Sequence, residues 1–187
     1  VVFSFYFEFP NGGKIPFPLL MQKSMSGDKA ARDSLKMLKL PAYSWNKLYR
    51  RALFSEYDIQ FPPIRAYEDL ATVSRVMIKA RNVVIANKPY YHYCLRRTGL
   101  TGNFGMKNIE EYFKAIEIIR HFIWTENLWN SWVKTYRAFL HTVEIQLFIE
   151  INIQKNTIPV KQRSSLVRHV RQRLRELAAP PTVSQAD

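Results

Sequence analysis

The sequence predicts an α/β fold over residues 1–104, followed by an α-helical region over 105–178 and a flexible tail over 179–187. Three observations carry this. Apolar residues alternate at period two in short runs separated by Gly, Pro and Asn before Phe104. After Gly105 they recur at helical spacing over long stretches. From Ala178 the chain turns Pro-, Ser- and Ala-rich, a composition that frays at a terminus.

The elements follow in order. Val1 to Glu8 alternates and reads as a strand. Asn11-Gly12-Gly13 is a turn signal, after which Lys14 to Phe17 pairs back as a hairpin. Ser26-Gly27-Asp28 caps a helix with Ala31, Leu35 and Leu38 on its apolar side. Pro41 is expected to end it, since proline cannot continue a helix. Tyr43 to Phe54 reads as a short strand running into a short helix, and Phe61-Pro62-Pro63 as a rigid loop. Glu68 and Asp69 open a helix with Leu70, Val73, Val76, Met77 and Ala80 on one face, and two acids in a first turn complement the helix dipole. Val83 to Ala86 and Tyr90 to Leu95 read as strands joined by a turn at Asn87-Lys88-Pro89. Three helices follow: Ile109 to Ile123, Leu128 to Leu147, and one after Pro159 with Leu166, Val170, Leu174 and Leu177 on one stripe.

Composition narrows the classes. With 47% hydrophobic and 14% aromatic residues the 187-residue chain is globular, large enough for one full core or a small core plus an appendage. No apolar run reaches the roughly 20 residues that cross a bilayer. The longest, Trp129 to Ile153, is broken by Lys134, Arg137, His141 and Glu144. The lone Cys94 can form no internal disulfide and no multi-cysteine zinc site, which suits a reducing compartment. No signal peptide is evident, and Val1 lies inside a strand-like run, so the sequence is expected to begin mid-domain. The net charge of +13 favours polyanionic partners. That charge is uneven: Arg163, Arg168, Arg171, Arg173 and Arg175 crowd the last helix, with Lys155 and Lys161 before it.

Three motifs lie close together in the first region. They are Trp45-Asn46-Lys47-Leu48-Tyr49, then Glu68-Asp69 at a helix start, then Tyr91-x-Tyr93 followed by Arg96-Arg97-x-Gly99-Leu100-Thr101. Singly, each has a plain structural reading: a core Trp with a turn, a dipole-complementing acidic pair, a solvated arginine pair. In this order and spacing, from Val1 to about Asn103, they resemble the second half of the family 2 glycosyltransferases. Gly99 departs from the family pattern, which often has Ser there. The region from Phe104 onward carries no such resemblance.

The resemblance implies a partial GT-A (Rossmann-like) fold with the acceptor side in this chain and the nucleotide-sugar half missing. It implies an inverting hexosyltransferase that uses a nucleotide-sugar donor, UDP-linked for preference, and a glycan or lipid-linked acceptor in cell-surface polysaccharide synthesis. Asp69 would be the general base, since inversion needs a carboxylate to take the acceptor hydroxyl's proton, and a helix N-terminus favours the ionised form. Glu68 would orient acceptor or loop. Trp45 would offer a ring face to the acceptor, with Asn46 and Lys47 as polar contacts. Arg96, and secondarily Arg97 and Thr101, would hold the diphosphate, a guanidinium fork matching phosphate oxygens. Mg²⁺ or Mn²⁺ would sit on an Asp-x-Asp motif, which this chain lacks. The fragment alone is therefore expected to be inactive.

Two rival readings rest on charge. The last helix, residues 161–177, sets its apolar stripe, with Val167, opposite an arginine face, the profile either of an interfacial helix on an anionic leaflet or of a core-packed helix with a solvated basic side. The protein is expected in the cytoplasm, and the first reading would place it peripherally on the inner face of the cell membrane. A basic nucleic-acid-binding module is the other alternative. Against it, the aromatics sit at core periodicities and no helix-turn-helix or similar motif appears, so no nucleic-acid partner is expected.

Overall fold

The computed structural model describes residues 1–19, 23–37, 40–95, 104–153 and 158–181. The chain forms two units: Val1–Phe61 with Thr72–Gly102, and Pro62–Ala71 with Asn103–Asp187. The architecture is mixed α/β.

The first unit is built on a four-stranded sheet of β1 (Val2–Glu8), β2 (Lys14–Phe17), β3 (Ser24–Ser26) and β4 (Asn82–Cys94), in the order β2-β1-β4-β3. β1 lies at its centre, antiparallel to β2 and parallel to β4. Val2, Phe3, Ser4 and Phe5 are buried, so the first half of β1 is a strand covered on both faces, while Tyr6, Phe7 and Glu8 are partly exposed. The Ser4 hydroxyl donates to the carbonyl of Phe17, tying the hairpin from a side chain.

The turn expected at Asn87-Lys88-Pro89 is not a turn. β4 runs unbroken for 13 residues, pairing with β1 from Ile85 onward, and the register slips there: Phe3 faces Ala86, Ser4 faces Pro89 and Phe5 faces Tyr91. Extra residues on one strand make a bulge. Pro89, which has no N–H to donate, sits at the slip, where a proline is tolerated within a sheet. Asn87 turns its side chain to use, its Oδ1 accepting from the Leu19 N–H at 2.9 Å.

α1 (Gly27–Leu35) begins as expected, with the Ser26 hydroxyl accepting from the Lys29 N–H. It ends before Pro41. Met37 adopts φ 56° and its N–H donates to the Ser34 carbonyl, closing the last turn through a left-handed residue. The strand expected after Tyr43 is reduced to an isolated bridge between Lys47 and Val2, and α2 (Ala52–Ser55) is a single turn. α3 (Glu68–Lys79) starts at the acidic pair. Its first four residues belong to the second unit and the rest to the first.

The second unit is dominated by α4 (Met106–Thr125), α5 (Trp129–Ile153) and α6 (Val160–Leu177). Ile109, Phe113, Ile116 and Ile123 of α4 are fully buried, as are Trp132, Tyr136, Phe139, Val143 and Leu147 of α5. Leu166, Val170, Leu174 and Leu177 of α6 complete this core. The Tyr136 hydroxyl donates to the Leu177 carbonyl at 3.1 Å, and the Tyr112 hydroxyl to Gln146 Oε1 at 2.8 Å. The buried phenols thus keep partners, as buried hydroxyls require. The apolar stripe of α6 is consumed by this packing. This agrees with the core-packed reading of residues 161–177, while Val167 stays partly exposed.

Candidate functional site

The first unit gathers a cluster of aromatic rings. Phe5 and Phe7 on β1 are the register partners of Tyr91 and Tyr93 on β4, and period two puts all four on one face of the sheet. Trp45 lies against that face. Its ring centroid is 4.8 Å from Tyr91, 5.0 Å from Tyr93 and 4.8 Å from Tyr43, stacked within 27° of parallel in each case. Phe5 meets Trp45 edge-on at 4.6 Å. Trp45 is half-buried, whereas Tyr43 and Tyr91 are 42% and 38% exposed. The solvent-facing aromatic surface therefore belongs mainly to the tyrosines, with Trp45 as their backing. Burial, with Tyr93 nearby, pushes the Tyr43 phenol up, so it stays a neutral donor and acceptor. Such a surface offers ring faces and hydroxyls together, the pairing that suits an amphipathic sugar ring. On the other face of the strands His92 is exposed, with Nδ1 2.6 Å from Glu8 Oε2, and this bond holds the Glu8 carboxyl below its usual value.

Asn46 and Lys47 point inward. Asn46 is 0% and Lys47 6% exposed. Asn46 Nδ2 donates to the Phe3 carbonyl at 3.2 Å. Lys47 Nζ donates to the Pro41 carbonyl at 2.8 Å, to Asn46 Oδ1 at 2.6 Å and to the Tyr43 carbonyl. Three oxygens satisfy the three donors of an ammonium. Backbone bonds from the Phe3 N–H to the Asn46 carbonyl and from the Leu48 N–H to the Val1 carbonyl clip the same segment to β1. These two side chains fix the turn that presents Trp45 and Tyr43. Both side chains are thus engaged inside the fold.

Glu68 and Asp69 occupy the first turn of α3, both partly exposed. Tyr67, just before them, has φ 66°, a conformation that bulky residues rarely adopt. Its carbonyl accepts from the Ala71 N–H at 3.1 Å, so it starts the helix. Its ring packs on Tyr112 of α4 at 4.2 Å. Burial, with Glu150 adding a smaller effect, pushes its phenol up to about 12. The approaching loop is also fastened: the Arg65 N–H donates to Glu111 Oε2 at 2.8 Å, and Lys114 with that N–H holds the Glu111 carboxyl below its usual value. Tyr67, Tyr112 and Glu111 escaped the sequence reading. Tyr112 lies inside a helical stretch with nothing local to single it out, and a positive φ at Tyr67 has no Gly or Asn to mark it.

Arg96, Arg97 and Thr101 lie outside the described residues. Among the described residues no group of three His, Cys, Asp or Glu side chains is placed to hold a metal ion. The Mg²⁺ or Mn²⁺ that the resemblance implies would sit on an Asp-x-Asp motif, which this sequence does not contain.

No protein-family model matches the chain, and no solved structure matches it. Over 105 residues, 54% of the chain, it is 27% identical to a protein of Bacillus subtilis (strain 168) named "Putative glycosyltransferase EpsH". The match spans 30% of that protein's length. The chain thus bears a glycosyltransferase-like relationship over about half of its residues.

Proposed function

We propose that this chain is the acceptor-side part of an inverting, family 2 (GT-A) glycosyltransferase, with Asp69 as the general base. The supporting observation is the acidic pair on the first turn of α3, partly open to solvent and set behind a strained, anchored Tyr67. Backbone strain that surrounding packing maintains clusters at functional sites. The similarity to EpsH supports a glycosyltransferase-like role in general.

In this reading an Asp69 carboxylate oxygen takes the proton of an acceptor hydroxyl. The freed oxygen forms the new bond to the anomeric carbon from the face opposite the leaving group. The anomeric C–O bond to the nucleoside diphosphate, UDP for preference, breaks, and the diphosphate departs with its electron pair. Glu68 orients the acceptor or the loop. Tyr43 and Tyr91, backed by Trp45, supply the surface for a glycan or lipid-linked acceptor, and Asn46 and Lys47 hold that surface in place. Arg96, with Arg97 and Thr101, takes the diphosphate. Residues outside this chain bind the nucleotide and the divalent cation, so the chain alone does not turn over. The reaction sits on the cytoplasmic side of the membrane.

Asp69→Asn in a longer form of the protein that carries an Asp-x-Asp motif tests this. Transfer should fall by about 10²–10⁴-fold, the usual worth of a positioned base, with nucleotide-sugar binding retained. Equal transfer rates would refute the base assignment. Steady UDP-sugar hydrolysis by the present chain would refute its dependence on further residues.

A further inference from the structure

α5 buries one side and leaves the other open. On the open side Ile145, Phe148, Ile149 and Ile153 recur at three- and four-residue spacing, each 45–66% exposed. Val160, the first residue of α6, is 72% exposed. These are not spare core positions, since Tyr136, Phe139, Val143, Leu147 and Ile151 already fill the inner side. Phe148 also borders a shallow groove with Val167 and Arg171, so the apolar stripe runs onto the flank of α6. A contiguous apolar strip of this kind marks an interaction surface.

Beside it lies a row of cations. Lys161, Arg168 and Arg175 are exposed and seven residues apart, two helical turns each, so they align along the outer side of α6. Arg171 stands between that row and α5, its Nε 2.9 Å from Glu144 Oε1. The far flank of α6 is different in kind. There Arg173 pairs with Glu117 and Glu176, and His169 with Glu110. Positive charge is thus concentrated on the outer row and the α5 side, next to the apolar strip.

We propose that this α5–α6 face docks on the surface of an anionic phospholipid bilayer, its apolar side chains entering the headgroup layer and its cations meeting lipid phosphates. The pairing of an apolar strip with flanking Lys and Arg is what a peripheral membrane contact needs. No helix of the described residues is long and apolar enough to cross a membrane, so this is a surface contact. A second copy of the chain fits the face poorly, because like faces would bring two rows of cations together on molecules of net charge +13. A nucleic acid would meet the cations and leave the apolar side chains unused. The contact differs from insertion of α6 itself, whose apolar stripe is already buried, and it holds whether or not the transferase reading does.

Co-sedimentation of the whole chain with vesicles tests it, using neutral phosphatidylcholine alone and with added phosphatidylglycerol. Binding is expected only to the anionic vesicles. Lys161→Gln with Arg168→Gln and Arg175→Gln should lower partitioning on the order of 10²-fold, at about one charge's worth each. Ile145→Ser with Ile149→Ser should lower it roughly tenfold, with an unchanged circular dichroism spectrum because both positions are exposed. Absent binding, equal binding to neutral vesicles, or undiminished binding by the serine variant would each overturn the proposal. So would a dimer in sedimentation velocity that the serine variant dissociates, since a second copy would then cover the strip.

Discussion

Trp45 stacks on Tyr91 with ring centroids 4.8 Å apart, joining a loop to a strand 46 positions further along the chain. The contact makes Trp45 part of the scaffold and leaves Tyr43 at the surface. The two residues should therefore separate in a denaturation experiment. Trp45→Ala is expected to lower unfolding free energy by about 3 kcal/mol, the lower range for deleting a large ring. Tyr43→Ala should cost about 1 kcal/mol while weakening any saccharide binding at least as much. Urea unfolding of the two variants checks the order; a costlier Tyr43→Ala would mean that the tyrosine holds the cluster.

Lys47 is the second test of the same turn. Its ammonium is buried on the carbonyls of Pro41 and Tyr43 and the side chain of Asn46. Lys47→Met keeps much of the stem and removes the donors, stranding buried acceptors at about 1–3 kcal/mol. A surface lysine would cost nothing measurable, so an unchanged urea midpoint would return Lys47 to the role of an acceptor contact.

Sequence periodicity revealed what depends on local spacing and missed what depends on partners. The helix from Glu68, the hairpin and the three later helices were legible, because cap residues and apolar stripes are local. Continuity of β4 across Pro89 was not: three residues that read as a turn are held in a bulge by pairing with β1 and by the Asn87–Leu19 bond. Asn46 and Lys47 were legible as a motif, but the direction in which they point was not, since polar type alone suggests solvent. The acidic pair was visible and its support was not, because Tyr67 and Tyr112 are 45 positions apart.

Gly27 gives a sharper prediction about packing. A Cβ there would lie 1.9 Å from the Ala80 carbonyl oxygen and 2.3 Å from that of Met77. Both are backbone atoms at the end of α3, which cannot swing aside as a side chain would. Gly27→Ala should therefore reach or exceed the upper end of overpacking costs, about 3 kcal/mol. Gly13→Ala meets only the flexible Asn11 side chain and serves as the control. Equal urea midpoints for the two variants would mean that α1 and α3 are set further apart.

Tyr67 links stability to alkaline pH. Its phenol ordinarily titrates at 10.0 and is pushed up to about 12 in the fold. Between those values the folded chain keeps a proton that the unfolded chain releases, so stability is full below pH 10 and falls as pH rises toward 12. Tyr112, also raised by burial, adds to the same slope. Tyr67→Phe removes one titrating group while keeping the ring on Tyr112. Its urea midpoint should decline less steeply between pH 9 and pH 11 than that of the parent, the interval in which about half of this window is crossed. Every other side chain is the same in both proteins, so the difference between the two slopes isolates the phenol. Parallel slopes would place the Tyr67 hydroxyl in water, and with it loosen the anchored helix start on which Asp69 depends.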